Sequence, residues 1–155
     1  MSNVWKPNVT VAAVIERDGR FLLVEEDTRD GVRLNQPAGH LEAGESLVDA
    51  CVRETLEETA YAFKPTFLLG VYLWRNDPDT TYLRFAFVGE LGEHDERRAL
   101  DEAIVRALWL TDEALHARAT EHRSPLVAQC VRDYRAGKRF PIDVLFPHPA
   151  ASVMT

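Results

Sequence analysis

Several short stretches of the chain alternate between hydrophobic and polar residues, which is the pattern of half-buried strands. Segment 8–26 predicts a hairpin, because apolar residues alternate at its start, residues 17–19 have turn chemistry, and residues 21–24 form a returning strand. The polar segment 27–40, which contains glycine and proline, is predicted to be a loop. Further strands are predicted at three places, residues 66–74, 81–91 and 104–110.

A spacing of about 3.6 residues between apolar positions predicts helices in three segments. The first begins after Ser46, which is placed to cap it, and its packing stripe consists of Val48, Cys51, Val52, Thr55 and Thr59. Thr111 can cap a short helix that follows it. The last helix spans about residues 125–136, with Ser124 as its cap, a proline at its first position and Gly137 at its end.

Mixed strands with helices on both sides predict an α+β fold, arranged as an α/β/α sandwich around a mixed central sheet. The chain has 155 residues, of which 46% are hydrophobic, so it is long enough to build one core. Nothing in it resembles a linker, an internal repeat or a low-complexity run. We therefore expect a single domain over residues 1–155.

The net charge of −7 and the pI of about 5.2 argue against a polymeric nucleic acid as partner, since that normally requires a basic stripe. A small anionic ligand requires cations at its site. The first residues lack the features of a secretory signal, and no apolar run reaches the roughly 18–20 residues that span a bilayer. We expect a cytoplasmic monomer or homodimer without membrane contact, with Cys51 and Cys130 as reduced core thiols.

The most unusual charge pattern is a group of glutamates on the first predicted helix. Glu54, Glu57 and Glu58 lie at positions i, i+3 and i+4, so their carboxylates share one face. A solvated acidic face is the simpler interpretation, although such pairs repel by roughly 0.2–0.5 kcal/mol and oppose the helix macrodipole. A hard divalent cation such as Mg²⁺ prefers oxygen ligands of this kind. The spacing alone leaves both interpretations open.

The flanking residues favour the metal. Segment 36–45 is predicted to be a loop whose backbone can fold over the helix and supply a carbonyl ligand, and its glycines permit the close approach. Arg53 lies one position away from the glutamate face, where it can pair with Asp49 or reach Glu45. We interpret Arg53 as holding the acidic cluster in place rather than binding substrate.

Residues 39–61 resemble the Nudix box. All the charged positions of that motif match in register, and so does its first glycine; the matching residues are Gly39, Glu45, Arg53, Glu54, Glu57 and Glu58. Three positions depart from the motif, namely Thr55, Ala60 and Tyr61. Ala60 replaces a glycine, so a left-handed conformation there would cost about 1–2 kcal/mol. Segments 35–47, 81–87 and 123–141 are also similar to the NudJ-type phosphatase branch of the Nudix hydrolases.

This resemblance implies a Nudix-type sandwich and Mg²⁺-dependent hydrolysis of phosphoanhydride bonds, with Mn²⁺ as a substitute. The implied substrates are nucleoside tri- and diphosphates and thiamine-type pyrophosphates, with release of phosphate. The implied metal ligands are Glu54, Glu58, Glu57 and the carbonyl of Ala38. The general base would come from the helix, as Glu54 or Glu57, or from a later loop, as Glu102 or Asp101. A nucleotide-sensing module without catalysis and a pyrophosphatase of dinucleotides such as ADP-ribose are the alternatives.

Three residues are candidate substrate contacts, each with an alternative interpretation. Trp74, at a strand end, can stack on a heterocycle or serve as a core or edge aromatic. The Arg84 side chain is expected on the face of its strand opposite to Leu83 and Phe85, where it can contact a phosphate or form a surface ion pair. Arg123 matches the branch segment together with Lys138 and Arg139, although basic residues at a helix end also suit the helix dipole.

Overall fold

The computed structural model describes residues 3–152 of the chain. Within this range the strands are β1 (Asn8–Ala13), β2 (Glu16–Arg17), β3 (Arg20–Thr28), β4 (Gly31–Asn35), β5 (Ala38–His40), β6 (Tyr61–Asp77), β7 (Thr80–His94), β8 (Ile104–Thr111) and β9 (Phe140–Pro141). The helices are α1 (Leu47–Thr59), α2 (Asp112–Ala117) and α3 (Leu126–Arg135). Short 3-10 turns occur at Ala119–Glu121, Ile142–Val144 and Pro149–Ser152.

The strands form two sheets. The larger has the order β5-β1-β7-β6-β9 and is mixed, because β1 and β7 are parallel while the other pairs are antiparallel. In the smaller sheet β3 pairs antiparallel with β2, β4 and β8. A mixed sheet of this kind agrees with the predicted topology.

Helices cover both faces of the sheets. On one face α1 contributes Ala50 and Cys51 to a core that also contains Val11 of β1. On the opposite face α3 contributes Val127 and Cys130 to a second core with residues of α2, β1, β3 and β7. The predicted α+β sandwich with a mixed central sheet is therefore confirmed, and both cysteines are buried free thiols as expected.

The predicted N-terminal hairpin is half right. Asp18 and Gly19 form its turn with positive φ angles of 53° and 79°, and they join β2 to β3. Strand β1, however, does not pair with β3 but lies between β5 and β7 of the larger sheet. The physical reason is that residues 11–15 are buried on both faces, which requires an inner position in a sheet rather than a place in a two-stranded hairpin.

The loop predicted for residues 27–40 is wrong, because this segment contains the end of β3 and strands β4 and β5. Gly31, with φ of 97°, and the Thr28 hydroxyl, which donates to the Gly31 carbonyl at 2.6 Å, make the turn between β3 and β4. Both strands are short, with five residues in β4 and three in β5. Edge strands need only partial apolar patterning, so periodicity does not reveal them.

The predicted helix ends agree with the structure. The Ser46 hydroxyl accepts from the Asp49 amide at 3.0 Å at the start of α1, and Ala60 ends that helix in the left-handed conformation with φ of 62°. Thr111 caps α2, and α3 differs from its predicted range by one residue at each end: Pro125 and not Ser124 is at the N-cap position, although the Ser124 hydroxyl accepts from the Leu126 amide at 3.1 Å. No helix in the described range is long and apolar enough to cross a membrane.

Candidate active site

Strand β5 lies directly against the glutamate face of α1. The Ala38 amide donates to Glu58 Oε1 at 2.9 Å. A Cβ at Gly39 would overlap the carboxylate of Glu54, so only glycine permits this approach. The predicted packing of the loop backbone over the helix is therefore present, with a short strand in place of the loop.

Three carboxylates meet beside β5. Oxygens of Glu54, Glu58 and Asp101 all lie within 4.8 Å of one another. Asp101 belongs to the segment between β7 and β8, and its amide donates to the Glu57 carbonyl at 2.9 Å, which fixes this segment to the last turn of α1. Three converging carboxylates from two elements match the oxygen ligands that Mg²⁺ and Mn²⁺ prefer.

Burial makes this cluster electrostatically unfavourable without a cation. Glu58 is buried, and burial raises its pKa to about 9, with Glu54, Glu26 and Asp101 adding repulsion while the Ala38 amide opposes the shift. Burial is also the main cause that raises the pKa of Glu54. A bound divalent cation reverses this preference, because it stabilises the ionised carboxylates. These residues therefore fit a metal ion.

Arg53 joins the acidic residues around the cluster. Its guanidinium donates to Glu45 at 2.8 and 3.0 Å, to Glu54 at 2.8 Å and to Glu57 at 3.2 Å, and also to the His40 carbonyl at 3.0 Å. The Arg53 guanidinium also lowers the pKa of Glu45. The predicted contact with Glu45 is confirmed, whereas the alternative partner Asp49 is replaced by glutamates of the helix and the loop.

The other sequence-predicted ligand and base positions lie at the edge of the cluster. Glu57 binds Arg53 and is not part of the group formed by Glu54, Glu58 and Asp101. Glu102 is exposed and also lies outside that group. Of the two candidate bases in the later loop, the structure thus brings Asp101 to the cluster. Ala38 lies beside Glu58, as its predicted role requires.

A cleft of about 390 Å³ opens from the carboxylate cluster across the sheet face that α3 covers. Its walls combine acidic, basic and aromatic side chains, and the lining residues are Thr10, Glu26, Asn35, Ala38, Gly39, His40, Glu42, Glu54, Glu58, Trp74, Tyr82, Arg84, Arg123, Ser124 and Leu126. The cleft thus places carboxylates suited to a cation next to arginines suited to an anion.

All three predicted substrate contacts line this cleft. Trp74 stacks on Tyr82, with ring centroids 5.9 Å apart and an interplanar angle of 14°. Arg84 is buried at 6% exposure, so the alternative of a surface ion pair is wrong. Arg123 lies 3.3 Å from Glu26.

The two other basic residues of the branch segment make contacts within the C-terminal region. Lys138 pairs with Asp133 at 3.2 Å. The guanidinium of Arg139 lies over the ring of Tyr134 at 4.4 Å. Neither lines the cleft.

Several residues that line the cleft were not found from the sequence, among them Glu26, Asn35 and Tyr82. Gln36 was also not found; it does not line the cleft, but its Oε1 accepts a hydrogen bond from Arg84 Nη1. Glu26 and Asn35 lie on neighbouring strands of the smaller sheet, while Tyr82 and Arg84 lie on β7 of the larger sheet. Only the packing of the two sheets brings these residues together. One local signal was available, since Tyr82 precedes Arg84 by two positions and must share its face of the strand.

A family model described as NUDIX domain matches residues 5–130. A mixed α+β sandwich that presents an acidic helix to a cleft is the architecture of a hydrolase of this class. The chain belongs to the Nudix hydrolase family. Enzymes of this family generally use a divalent metal, and the carboxylate cluster offers ligands for one.

Known relatives agree over most of the chain. Proteins named Phosphatase NudJ from Escherichia coli (strain K12) and from Shigella boydii serotype 4 are each 39% identical over 142 residues, which cover 92% of this chain and 92% of theirs. A solved structure, a NUDIX hydrolase from Nitrosomonas europaea, is 54% identical with a TM-score of 0.90 and covers 92% of this chain and 98% of its own. The predicted resemblance to the NudJ-type branch is thereby confirmed.

Proposed function

We propose that this chain is a Mg²⁺-dependent hydrolase of phosphoanhydride bonds that releases inorganic phosphate. The substrates are nucleoside tri- and diphosphates and thiamine-type pyrophosphates. One observation carries the proposal: carboxylates of Glu54, Glu58 and Asp101 converge beside a cleft that Arg84 and Arg123 also line. The similarity to proteins named Phosphatase NudJ supports phosphate release.

Glu54, Glu58 and Asp101 are the proposed ligands of Mg²⁺, with Glu57 and the Ala38 carbonyl as further candidates and Mn²⁺ as a substitute. When bound, the metal supplies charge neutralisation for the phosphates and an acidified water. An acidic protein gains from this arrangement, because the cation converts a site that repels phosphates into one that attracts them.

The remaining side chains have two proposed roles: Arg53 orients the metal ligands, and a carboxylate accepts a proton. Arg53 fixes Glu45, Glu54 and Glu57 relative to one another, and therefore organises the ligands without touching substrate. The base that accepts a proton from the attacking water is one of the helix glutamates or a carboxylate of the loop before β8. Within that loop the geometry favours Asp101 over Glu102, because Asp101 lies in the cluster.

Substrate recognition centres on the phosphates. Arg84 and Arg123 are proposed to face the phosphate chain, and Trp74 with Tyr82 to stack on the heterocycle. Stacking contributes about 1–3 kcal/mol per base and tolerates different rings. We therefore expect poor discrimination among bases. The activity is assigned to one domain over residues 1–155, acting on small molecules in the cytoplasm.

The test is a Mg²⁺-dependent screen that measures phosphate and pyrophosphate separately. Its compounds are nucleoside triphosphates and diphosphates, thiamine pyrophosphate and ADP-ribose. We expect phosphate from tri- and diphosphates of several bases, with rates within roughly a hundredfold of one another. Cleavage of ADP-ribose with diphosphates untouched, or a strict preference for one base, would contradict the substrate assignment.

The matched control for this screen is Glu58→Gln, which keeps the size of the side chain and removes its charge. Phosphate release that persists unchanged in this variant, after contaminating phosphatases have been excluded with a mock purification, would show that the reaction does not depend on the proposed site.

A further inference from the structure

The floor of the cleft contains a buried guanidinium without an acidic partner. Arg84 is 94% buried, and within residues 3–152 it forms no ion pair with a carboxylate. Burying a charge is costly unless an opposite charge or strong hydrogen bonds compensate it. An unneutralised arginine at the bottom of an open cleft therefore indicates that a ligand supplies the missing anion.

Two neutral amides hold this guanidinium in place. Arg84 Nη1 donates to Gln36 Oε1 and Nη2 donates to Asn35 Oδ1, both at 3.0 Å, while Cys130 Sγ lies 3.9 Å from Nη1. Gln36 is itself fixed, because its amide nitrogen donates to the Val127 carbonyl at 2.9 Å. These contacts fix the position of the Arg84 guanidinium, but none of them provides a negative charge to pair with it.

The free edge of Arg84 faces the cleft. A guanidinium has five N–H donors, and the contacts above leave Nε–H and one N–H of Nη2 without a protein partner in the described range. In that same range every fully buried side-chain nitrogen and oxygen has a partner, so Nε is not fully buried, and Arg84 lines the cleft. An open donor on a fixed cation is suited to a phosphate oxygen.

Arg84 and two carboxylates of the cluster, those of Glu54 and Glu58, line the same cleft. Asn35, which holds Nη2, also donates from Nδ2 to Glu26 Oε1 at 3.4 Å, and both Glu26 and Arg84 line the cleft together with Glu58. The N-terminus of α3 lies on the same cleft through Ser124 and Leu126, and it adds partial positive charge. A phosphate at Arg84 would therefore be a near neighbour of one held at the cluster.

We propose that Asn35 and Gln36 are specificity-determining positioning residues, which keep Arg84 rigid and un-neutralised so that a phosphate of a diphosphate unit becomes its counter-ion. This rests on the proposed function and deepens it. Asp or Glu would fill the same space and pair directly with Arg84. Neutral amides at both positions leave the positive charge to the substrate.

Gln36→Glu tests the proposal, because it supplies an internal counter-charge of nearly the same shape. We expect KM for nucleoside diphosphate to rise roughly tenfold to a hundredfold, the scale of one charge-assisted hydrogen bond, with kcat changed less than about threefold. The melting temperature measures the loss of the bond to Val127. Asn3→Asp, an exposed position outside the cleft lining with the same change in net charge, is the control and should leave KM unchanged.

Binding separates this inference from the proposed function. Methylenediphosphonate, which cannot be hydrolysed at its P–C–P bridge, is titrated by calorimetry in excess Mg²⁺ into wild type, Gln36→Glu, Asn35→Asp and Arg84→Lys. We expect roughly tenfold or greater weakening in each variant, even if no phosphoanhydride is turned over. Asn35→Asp provides the counter-charge independently if Gln36→Glu does not fold. Wild-type affinity in the folded counter-charge variants, with only their melting temperatures altered, would show that the amides are structural and would overturn the proposal.

Discussion

Two arginines of the same protein have opposite surroundings. Arg53 contacts the carboxylates of Glu45, Glu54 and Glu57, and lies 3.6 Å from that of Glu42. Arg84 is more deeply buried, yet it is held by the amide oxygens of Asn35 and Gln36. Carboxylates neutralise the positive charge of Arg53, whereas neutral amides leave the positive charge of Arg84 available to an anionic ligand.

This difference indicates which kind of ion each part of the cleft binds. At the cluster, an excess of carboxylates remains even after Arg53 is counted, and this end suits a cation. At the floor, the charge of Arg84 remains, and this end suits an anion. Substitutions at the cluster should therefore act on metal binding and kcat, and substitutions along the floor should act on KM.

The largest effect is expected at Glu58. Glu58→Gln keeps the side-chain volume and removes the charge that faces Glu54 and Asp101, so the rate should fall by at least about 10²-fold, the scale of losing a key electrostatic group. Circular dichroism should show a folded protein. Turnover within a factor of about ten of wild type would mean that this carboxylate does not serve the reaction.

Arg53 should give the next largest effect. Arg53→Ala releases Glu54 and Glu57, so we expect metal affinity or kcat to fall by about 10–100-fold, as for other residues that orient metal ligands. A Mg²⁺ titration of the rate measures both quantities, and Arg97→Ala, at an exposed position, is the matched control. If KM for substrate rises instead while kcat is unchanged, Arg53 contacts substrate and its organising role is wrong.

A smaller effect is expected at the aromatic wall. Trp74→Leu removes the ring that stacks on Tyr82, and should weaken nucleotide binding by about 1–3 kcal/mol for every base. KM values for four nucleoside diphosphates measure this, with Trp5→Leu, a mostly exposed tryptophan that is not part of the cleft lining, as the control. Loss of binding for one base alone would indicate that Trp74 takes part in base recognition.

The smallest effect on catalysis should come from the cap of α1. Ser46→Ala removes the hydrogen bond to the Asp49 amide and should lower the free energy of unfolding by about 1 kcal/mol. Since the cap lies two helical turns from Glu54, kcat and KM should stay within about twofold. Urea denaturation and steady-state rates measure the two effects, and a large loss of rate would show that the cluster depends on the whole helix.

Features whose causes are local could be predicted from the sequence. The start of α1 follows from Ser46 and the end of α3 from Gly137, and the shared face of Glu54 and Glu58 follows from helical spacing alone. Arg53 belongs to this group as well, because most of its partners lie on the same helix or in the segment just before it. In such cases neighbouring residues determine the geometry.

Features that depend on tertiary pairing could not be predicted in the same way. The place of β1 between β5 and β7 is set by burial on both faces, and β4 and β5 are edge strands of only five and three residues, too short for a clear periodic pattern. The environment of Arg84 depends on amides 48 and 49 residues away in the chain. Likewise, Asp101 and Glu102 cannot be distinguished until the segment before β8 is placed against α1.

The most direct test of the central claim is the dependence of phosphate release on a divalent cation. The rate with a nucleoside diphosphate is measured in excess EDTA, then with Mg²⁺ or Mn²⁺ restored, for wild type and Glu58→Gln. We predict that chelation abolishes activity, that either cation restores it in wild type, and that the variant responds only at much higher cation concentration or not at all. Full turnover in EDTA, or identical cation dependence in the two proteins, would contradict a metal held by the carboxylates of Glu54, Glu58 and Asp101.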